Sequence, residues 1–315
     1  VERKLYAALG SKSGREAKSL HARFQQGLGD LSEEERAKAD YLVNSLIESS
    51  YAEDVEYLHP RLLEFGKEFG GGDVLFPEGY SQVFDPRFSK FEVRIDCAVE
   101  KVDWGSHGAT LTTTQGEHSA DRVILTLPLG VLKKGSISFS PGLPDSKLTA
   151  INAMGMGCLN KLYLKFPETF WPVDCSGISY QSPKTGHWSQ WLNFAPYTRS
   201  PILAGFTAGS FARETEQWSD METVTSAMET LRRLFGSSIP EPVAFQRTRW
   251  NSDPYSLGSY SARRPGVGQS MIQALGEPID GRIFFAGEAT SVDYPSTVHG
   301  AYLSGQREAE RLALA

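Results

Sequence analysis

A mixed α/β architecture, α+β in its order of elements, is predicted by three features of this 315-residue chain. Short apolar runs of strand length recur from Phe91 to Leu127 and again from Leu159 to Thr207, while helical spacing marks the stretches before and between them. A strand-turn-helix unit closes the chain. Ile283, Phe284, Phe285 and Ala286 form a buried-strand run ended by Gly287, and after a polar loop Val298, Ala301, Tyr302 and Ala309 recur at helical spacing among Gln306, Arg307, Glu308 and Glu310.

Composition narrows the class. With 40% hydrophobic and 22% charged residues the chain can bury a full core and hold one large domain or two smaller ones. No apolar run approaches the ~20 residues of a membrane span, and the N-terminal VERKLYAALG has neither an apolar signal core nor an initiating Met, so a processed, trimmed or partial chain is expected. A net charge of −6 argues against a general nucleic-acid binder and suits cationic substrates such as amines. Cys97, Cys158 and Cys175 lie far apart without metal spacing, as expected of free thiols in a cytoplasmic or other reducing compartment, and no metal site is expected.

Two helices are expected between Gly14 and Ala52: one carries Leu20, Phe24 and Leu28, and the next follows a capping box at Ser32 to Glu35. Gly70 to Gly72 read as a loop or hinge, since neither a helix-opening GxGxxG nor a phosphate-binding Lys follows. Residues 91–127 alternate as a meander through Phe91, Val93, Ile95, Val99, Val102, Trp104 and Ala109, leading into Val123, Ile124 and Leu125 and ending at Pro128 and Gly130. A helix from Pro144 to Met154 precedes a strand from Leu159 to Phe166. Gly155 to Asn160 is only a superficial GxGxxG, because it lacks the third glycine and enters a strand. Strands at 187–194, 202–207 and 242–250 surround a helix capped by Ser219 to Glu222.

At the C-terminal unit the chemistry is specific. One carboxylate, Glu288, stands beside a residue without Cβ, and the helix start at Ser296 and Thr297 offers unpaired N–H groups with partial positive charge. Such a pair suits a ligand with sugar-like hydroxyls at one end and an electron-rich edge at the other.

The strings FAGEAT and YPSTVHGAYLSGQREAERL closely resemble the C-terminal signature of the flavin-containing amine oxidases, which include polyamine oxidases and flavin-dependent histone demethylases. The resemblance implies FAD as cofactor, held at Gly287, Glu288, Ser296, Thr297 and Val298, with Glu288 on the ribityl chain and the helix start facing the N1 and O2 edge. It further implies adenine contacts through the backbone of Val99 and a strand end at Thr126, Leu127 and Pro128. GMGCLNKLYLKF followed by Phe170 and Trp171 resembles the family pattern around a lysine that bonds a water beside flavin N5, which falls on Lys161. Trp191 is the candidate for a tryptophan on the substrate-cavity wall. WNSDPYSLGSYS resembles a further signature, implying that Trp250 and Tyr255 pack against the flavin and that Ser259 and Tyr260 bring an aromatic ring to its cavity.

The fold so implied is a partial FAD-binding two-dinucleotide-binding-domain fold with a substrate domain of mixed sheet and flanking helices. Its expected segments are a helical part of the substrate domain (1–72), an FAD-binding segment (73–130), the substrate-domain sheet and helices (131–265) and a C-terminal FAD-binding segment (266–315). The implied reaction is oxidation of a C–N bond in a small amine, of polyamine type, with hydride passing to flavin N5, imine hydrolysis and release of H2O2. The family's opening βαβ unit with GxGxxG is not found in the chain, so a C-terminal part is expected, with the missing N-terminal FAD-binding segment as a possible partner. An inactive partner-binding remnant and an amino-acid oxidase are the competing readings.

Overall fold

In a computed structural model, residues 1–10, 16–67, 69–72, 74–76, 78–83 and 90–314 of the chain are described, so Gly14, where the first helical stretch was expected to begin, and Asp73, at an expected segment boundary, lie outside them. Helices Glu2–Gly10, Leu20–Leu28 and Glu33–Val43 come first. Ser19 accepts from the Ala22 N–H, and Ser32 and Glu35 form the reciprocal capping box read from the sequence. These caps satisfy donors that helix geometry orphans. The third helix runs on through a π turn, Asn44–Glu48, and stops at Ala52, whose φ is +55°. The 9-residue first helix holds too few turns to show a sequence period of its own; its place is set by Leu5 packing with Leu20, Phe24, Ile47 and Leu58.

Strands β1 (Val99–Gly105), β2 (Gly108–Thr113) and β3 (Gly116–Ala120) make the antiparallel meander. β4 (Val123–Leu125) leaves it, and β5 (Ser138–Ser140) returns parallel to β1, giving the order β3-β2-β1-β5. The extended stretch with Phe91, Val93 and Ile95 joins no sheet among the described residues; these side chains are 70%, 60% and 76% exposed. The pattern there was read as strand because alternation records extended backbone, whereas a strand also needs a neighbour.

The second sheet is wholly antiparallel. It comprises β7 (Leu159–Lys165), β8 (Gly177–Ser179), β9 (Gln190–Asn193), β10 (Ile202–Ala208) and β11 (Ala244–Arg247), in the order β11-β7-β10-β9-β8. Period-two alternation divides its faces. Leu162, Leu164, Trp191 and Leu203 pack on Val224, Met228 and Leu231 of helix Asp220–Phe235, which carries the second expected capping box. Lys161, Tyr163, Leu192 and Phe206 occupy the other face, where they border a cavity. Between the two sheets β6 (Gly155–Met156) pairs with β12 (Ser261–Ala262), and β13 (Ile283–Phe285) lies parallel to β4 in register Ile283 with Val123 through Phe285 with Leu125.

Two lysines lock the helices around β13. Lys133 Nζ donates to the carbonyls of Ile151, Asn152 and Met154 at the end of helix Asp145–Ala153. Lys147, 2% exposed, donates to Ala274, Leu275 and Glu277 at the end of helix Gln269–Gly276 and lies 3.8 Å from the centre of the Phe285 ring. Each puts a cation where a helix dipole is negative. Burial pushes Lys147 from 10.5 down to about 8. The folded chain therefore releases this proton before the unfolded one does, and between those values the unfolded state binds more protons. Stability is expected to rise as pH climbs through that window, by about 3 kcal/mol relative to a Lys147→Met variant. Denaturant unfolding of both proteins across the window checks this, and parallel pH profiles would refute it.

Candidate functional site

β13 delivers Gly287 and Glu288 to the mouth of a cavity of about 190 Å³ between it and the end of β4. Thr126, Leu127, Pro128, Phe285, Ala286 and Ala301 form its largely apolar wall. The two strand ends meet because β4 and β13 are parallel neighbours, and in parallel sheets ligands sit outside the carboxyl ends of strands.

The Glu288 carboxylate accepts from the Ser261 N–H at 2.9 Å, the Ser261 hydroxyl at 2.6 Å and the Ser296 N–H at 2.8 Å. Burial pushes its pKa up, and those three donors oppose the rise. Ser296 takes φ of +63° and its hydroxyl donates back to the Ser261 carbonyl at 2.6 Å. Ser261 and Ser296 thus form a clasp around one carboxylate.

Directly after the clasp begins helix Val298–Leu314. Thr297 caps it, accepting from the Gly300 N–H at 3.0 Å while donating to the Tyr294 carbonyl. A Cβ on Gly300 would stand 1.8 Å from the Tyr294 oxygen, so only glycine permits this tight entry. Among the described residues no acceptor meets the N–H groups of Val298 and His299, as expected at a helix start. Gly287 donates its N–H to Ser304 and has φ of +132°, with open space where a Cβ would be.

Lys161 stands on the other face of β7 from the core, in a second cavity of about 290 Å³ with Phe76, Tyr80, Tyr163, Phe194 and Phe206. Its Nζ lies 5.9 Å from the centre of the Phe206 ring. Trp191 is elsewhere: 2% exposed, it lies in the core with its indole N–H donating to the Trp188 carbonyl. The register of β9 gives the cavity face to Leu192, and a one-residue shift is a change of face.

Trp250 and Tyr255 are 41% and 70% exposed on a loop whose turn is fixed by the Tyr255 N–H donating to Asp253 at 2.8 Å and the Gly258 N–H donating to the Trp250 carbonyl at 2.8 Å. Ser259 clamps strands, accepting from the Leu159 N–H and donating to the Gly157 carbonyl. The Tyr260 hydroxyl donates to the Ser50 carbonyl at 3.1 Å, and burial, with Glu288 and Cys158 nearby, pushes its pKa upward. Val99 opens β1, half-buried beside Thr113. Ser261 and Ser304 are polar partners that motif reading overlooked; a small hydroxyl in a buried register position was their signal.

The residues present fit the flavin end of FAD. A clasped carboxylate stands at the cavity mouth, two free N–H groups begin the adjoining helix, and glycine opens the backbone between them. Trp250, Tyr255 and Val298 are exposed, and none of them lines this cavity. Among the described residues no group of His, Cys, Asp or Glu could hold a metal ion.

Comparison with known proteins gives a family match over residues 2–313, to flavin containing amine oxidoreductase. The chain is 33% identical over 258 residues to lysine-specific histone demethylase 2 of Homo sapiens, covering 79% of this chain and 31% of that protein. It is 35% identical over 266 residues to polyamine oxidase 2 of Arabidopsis thaliana, covering 84% and 54%. It therefore spans about a third of the one relative and half of the other. A redesigned putrescine oxidase double mutant shares the fold with a TM-score of 0.80 at 19% identity, covering 100% of this chain and 74% of its own.

Proposed function

The chain belongs to the flavin containing amine oxidoreductase family, and from that premise we propose that it contributes the larger part of an FAD-dependent oxidase acting on the C–N bond of a polyamine-type amine. The observation that carries this reading is the Glu288 carboxylate clasped by Ser261 and Ser296 at the mouth of the β4–β13 cavity. FAD, when bound, supplies the hydride acceptor for oxidation of the carbon beside nitrogen and the route to H2O2 with oxygen.

The protein's part is binding, orientation and exclusion of water. Glu288 would hold the ribityl hydroxyls, and the start of helix Val298–Leu314 would face the ring edge that gains negative charge, stabilising it by about 0.3–2 kcal/mol. Trp250 and Tyr255 would cover the ring. Segments 73–130 and 266–315 form the cofactor half in this reading, and 1–72 and 131–265 the substrate half.

Lys161 is the one cation among the described residues lining a cavity that is aromatic and aliphatic apart from Thr198. A cation there disfavours a substrate ammonium and favours the free-base amine, the form that can yield hydride. An amino-acid substrate would bring a carboxylate that an arginine fork holds in two bonds, and no arginine lines that cavity among the described residues.

The phosphate end of the cofactor needs a partner segment. We place it alongside the exposed row Phe91, Val93 and Ile95 and the two-stranded parallel sheet β4–β13, because parallel sheets are normally larger and covered on both faces. The test measures peroxide release with spermine, acetylated spermine and amino acids, with and without a segment carrying a strand-GxGxxG-helix unit. Peroxide from the polyamines, and firm flavin retention only with the added segment, are expected. A flavin-loaded protein that oxidises no amine would overturn the proposal.

A further inference from the structure

The strand that carries Lys161 and the loop that carries Trp250 are tied together by one acidic side chain. Glu216, the last residue of helix Gly209–Glu216, is 8% exposed and points into the seam between β7 and the 248–252 turn. One of its oxygens accepts from Asn160 Nδ2 at 2.7 Å, from the Asn251 N–H at 2.9 Å and from the Cys158 thiol at 3.4 Å. The other accepts from the Ser252 hydroxyl at 2.5 Å.

Asn160 carries the linkage onward. With its amide nitrogen held by Glu216, its oxygen is aimed at Thr248 and Trp250, accepting from the Thr248 hydroxyl at 3.0 Å and the Trp250 N–H at 3.1 Å. Thr248 in turn grips Lys161 on both sides of its backbone: its hydroxyl accepts from the Lys161 N–H at 2.9 Å and its N–H donates to the Lys161 carbonyl at 3.0 Å. A carboxylate with four donors, two of them on Asn160 and Asn251, the residues next to Lys161 and Trp250, does more than cap a helix end.

We propose that Glu216 is a positioning residue, which through Asn160 and Thr248 fixes the spacing between Lys161 and the Trp250 to Tyr255 loop. Its functional consequence rests on the reading that both groups face the flavin; the wiring itself does not. Burial opposes ionisation of Glu216, but the bonds from Ser252, Asn160, Asn251 and Cys158 outweigh it and hold the carboxyl below its ordinary range. Burial, with this carboxylate adding to it, pushes the Cys158 thiol up to about 12, which keeps it inert.

Hydrogen exchange of the chain reads this directly. Glu216→Ala is expected to raise exchange of the peptides spanning 248–252 and 159–162 by about tenfold or more, since buried donors lose their acceptor. Glu216→Gln keeps one carbonyl oxygen for Asn160 and Asn251, and the Ser252 hydroxyl can reverse, so near wild-type protection is expected. Leu231→Ala, a core truncation behind the same sheet, controls for general destabilisation and must spare these peptides selectively. Asn160→Ala cuts the link one residue further on and must open the same two peptides. Protection unchanged in Glu216→Ala or Asn160→Ala, or the same local opening in Leu231→Ala, overturns the proposal. Should Glu216→Ala not fold, failure of Glu216→Gln to retain protection decides against it. A flavin-loaded protein without oxidase activity but with this exchange pattern would defeat the oxidase reading and leave the positioning role standing.

Discussion

Replacing Glu288 by alanine is expected to destabilise the chain by about 2–3 kcal/mol and to weaken FAD retention by about tenfold to a hundredfold. Three donors, the Ser261 N–H, the Ser261 hydroxyl and the Ser296 N–H, lose one shared acceptor. The Ser261 hydroxyl can turn to the Ser296 hydroxyl at 3.4 Å, whereas the two N–H groups lose their carboxylate acceptor, one of them on Ser296 with its φ of +63°. Loosening this clasp moves the start of helix Val298–Leu314, so the carboxylate and the helix N–H groups are lost to the cofactor together. Chemical denaturation measures the first effect and the flavin absorbance retained after dialysis the second. A variant that unfolds like the parent and stays fully yellow would show that the clasp neither holds the fold nor the cofactor.

Lys161→Met is expected to lower kcat/KM for an amine by about a hundredfold while leaving stability and flavin retention nearly unchanged. The separation of effects follows from position. Lys161 is anchored through its backbone, by Thr248, whereas its Nζ lies 5.9 Å from the Phe206 ring in a cavity rather than in a structural bond. Methionine preserves the length and apolar stem of the side chain and removes only the charge and its donors. In the parent, kcat/KM is expected to rise with pH as the substrate ammonium loses its proton; in the variant the rise should persist on a lower curve, since the titrating group belongs to the substrate. Steady-state kinetics over pH checks both points, and an unchanged kcat/KM would remove Lys161 from the chemistry.

Local chemistry was legible where one residue type has one physical use. Ser32 with Glu35, and Ser219 with Glu222, form the capping boxes their spacing predicts, because both partners lie within one helical turn. The run at Ile283 is a buried strand and the pattern after Thr297 a helix. Trp191 shows the limit. Its position in strand β9 could be read, but its face could not, since a shift of one residue in an alternating strand exchanges core for cavity. The run at Phe91, Val93 and Ile95 shows another, because extended backbone becomes a strand only beside a neighbour.

Ser261, Ser304, Asn160, Thr248 and Glu216 were passed over for a different reason. Each acts through a partner far along the chain: Ser261 on Glu288, Ser304 on Gly287, Glu216 on Asn160 and Asn251. Residue order carried the kind of chemistry: a carboxylate beside a helix start, aromatics on a turn and a lysine in a strand. Which of these meet was left to the folded chain. The parallel pairing of β4 with β13 brings Thr126 and Pro128 to the same cavity as Gly287 and Glu288, and β12 carries Ser261 to Glu288. Periodicity and caps are local forces recorded residue by residue, whereas a buried carboxylate takes its donors from wherever folding brings them.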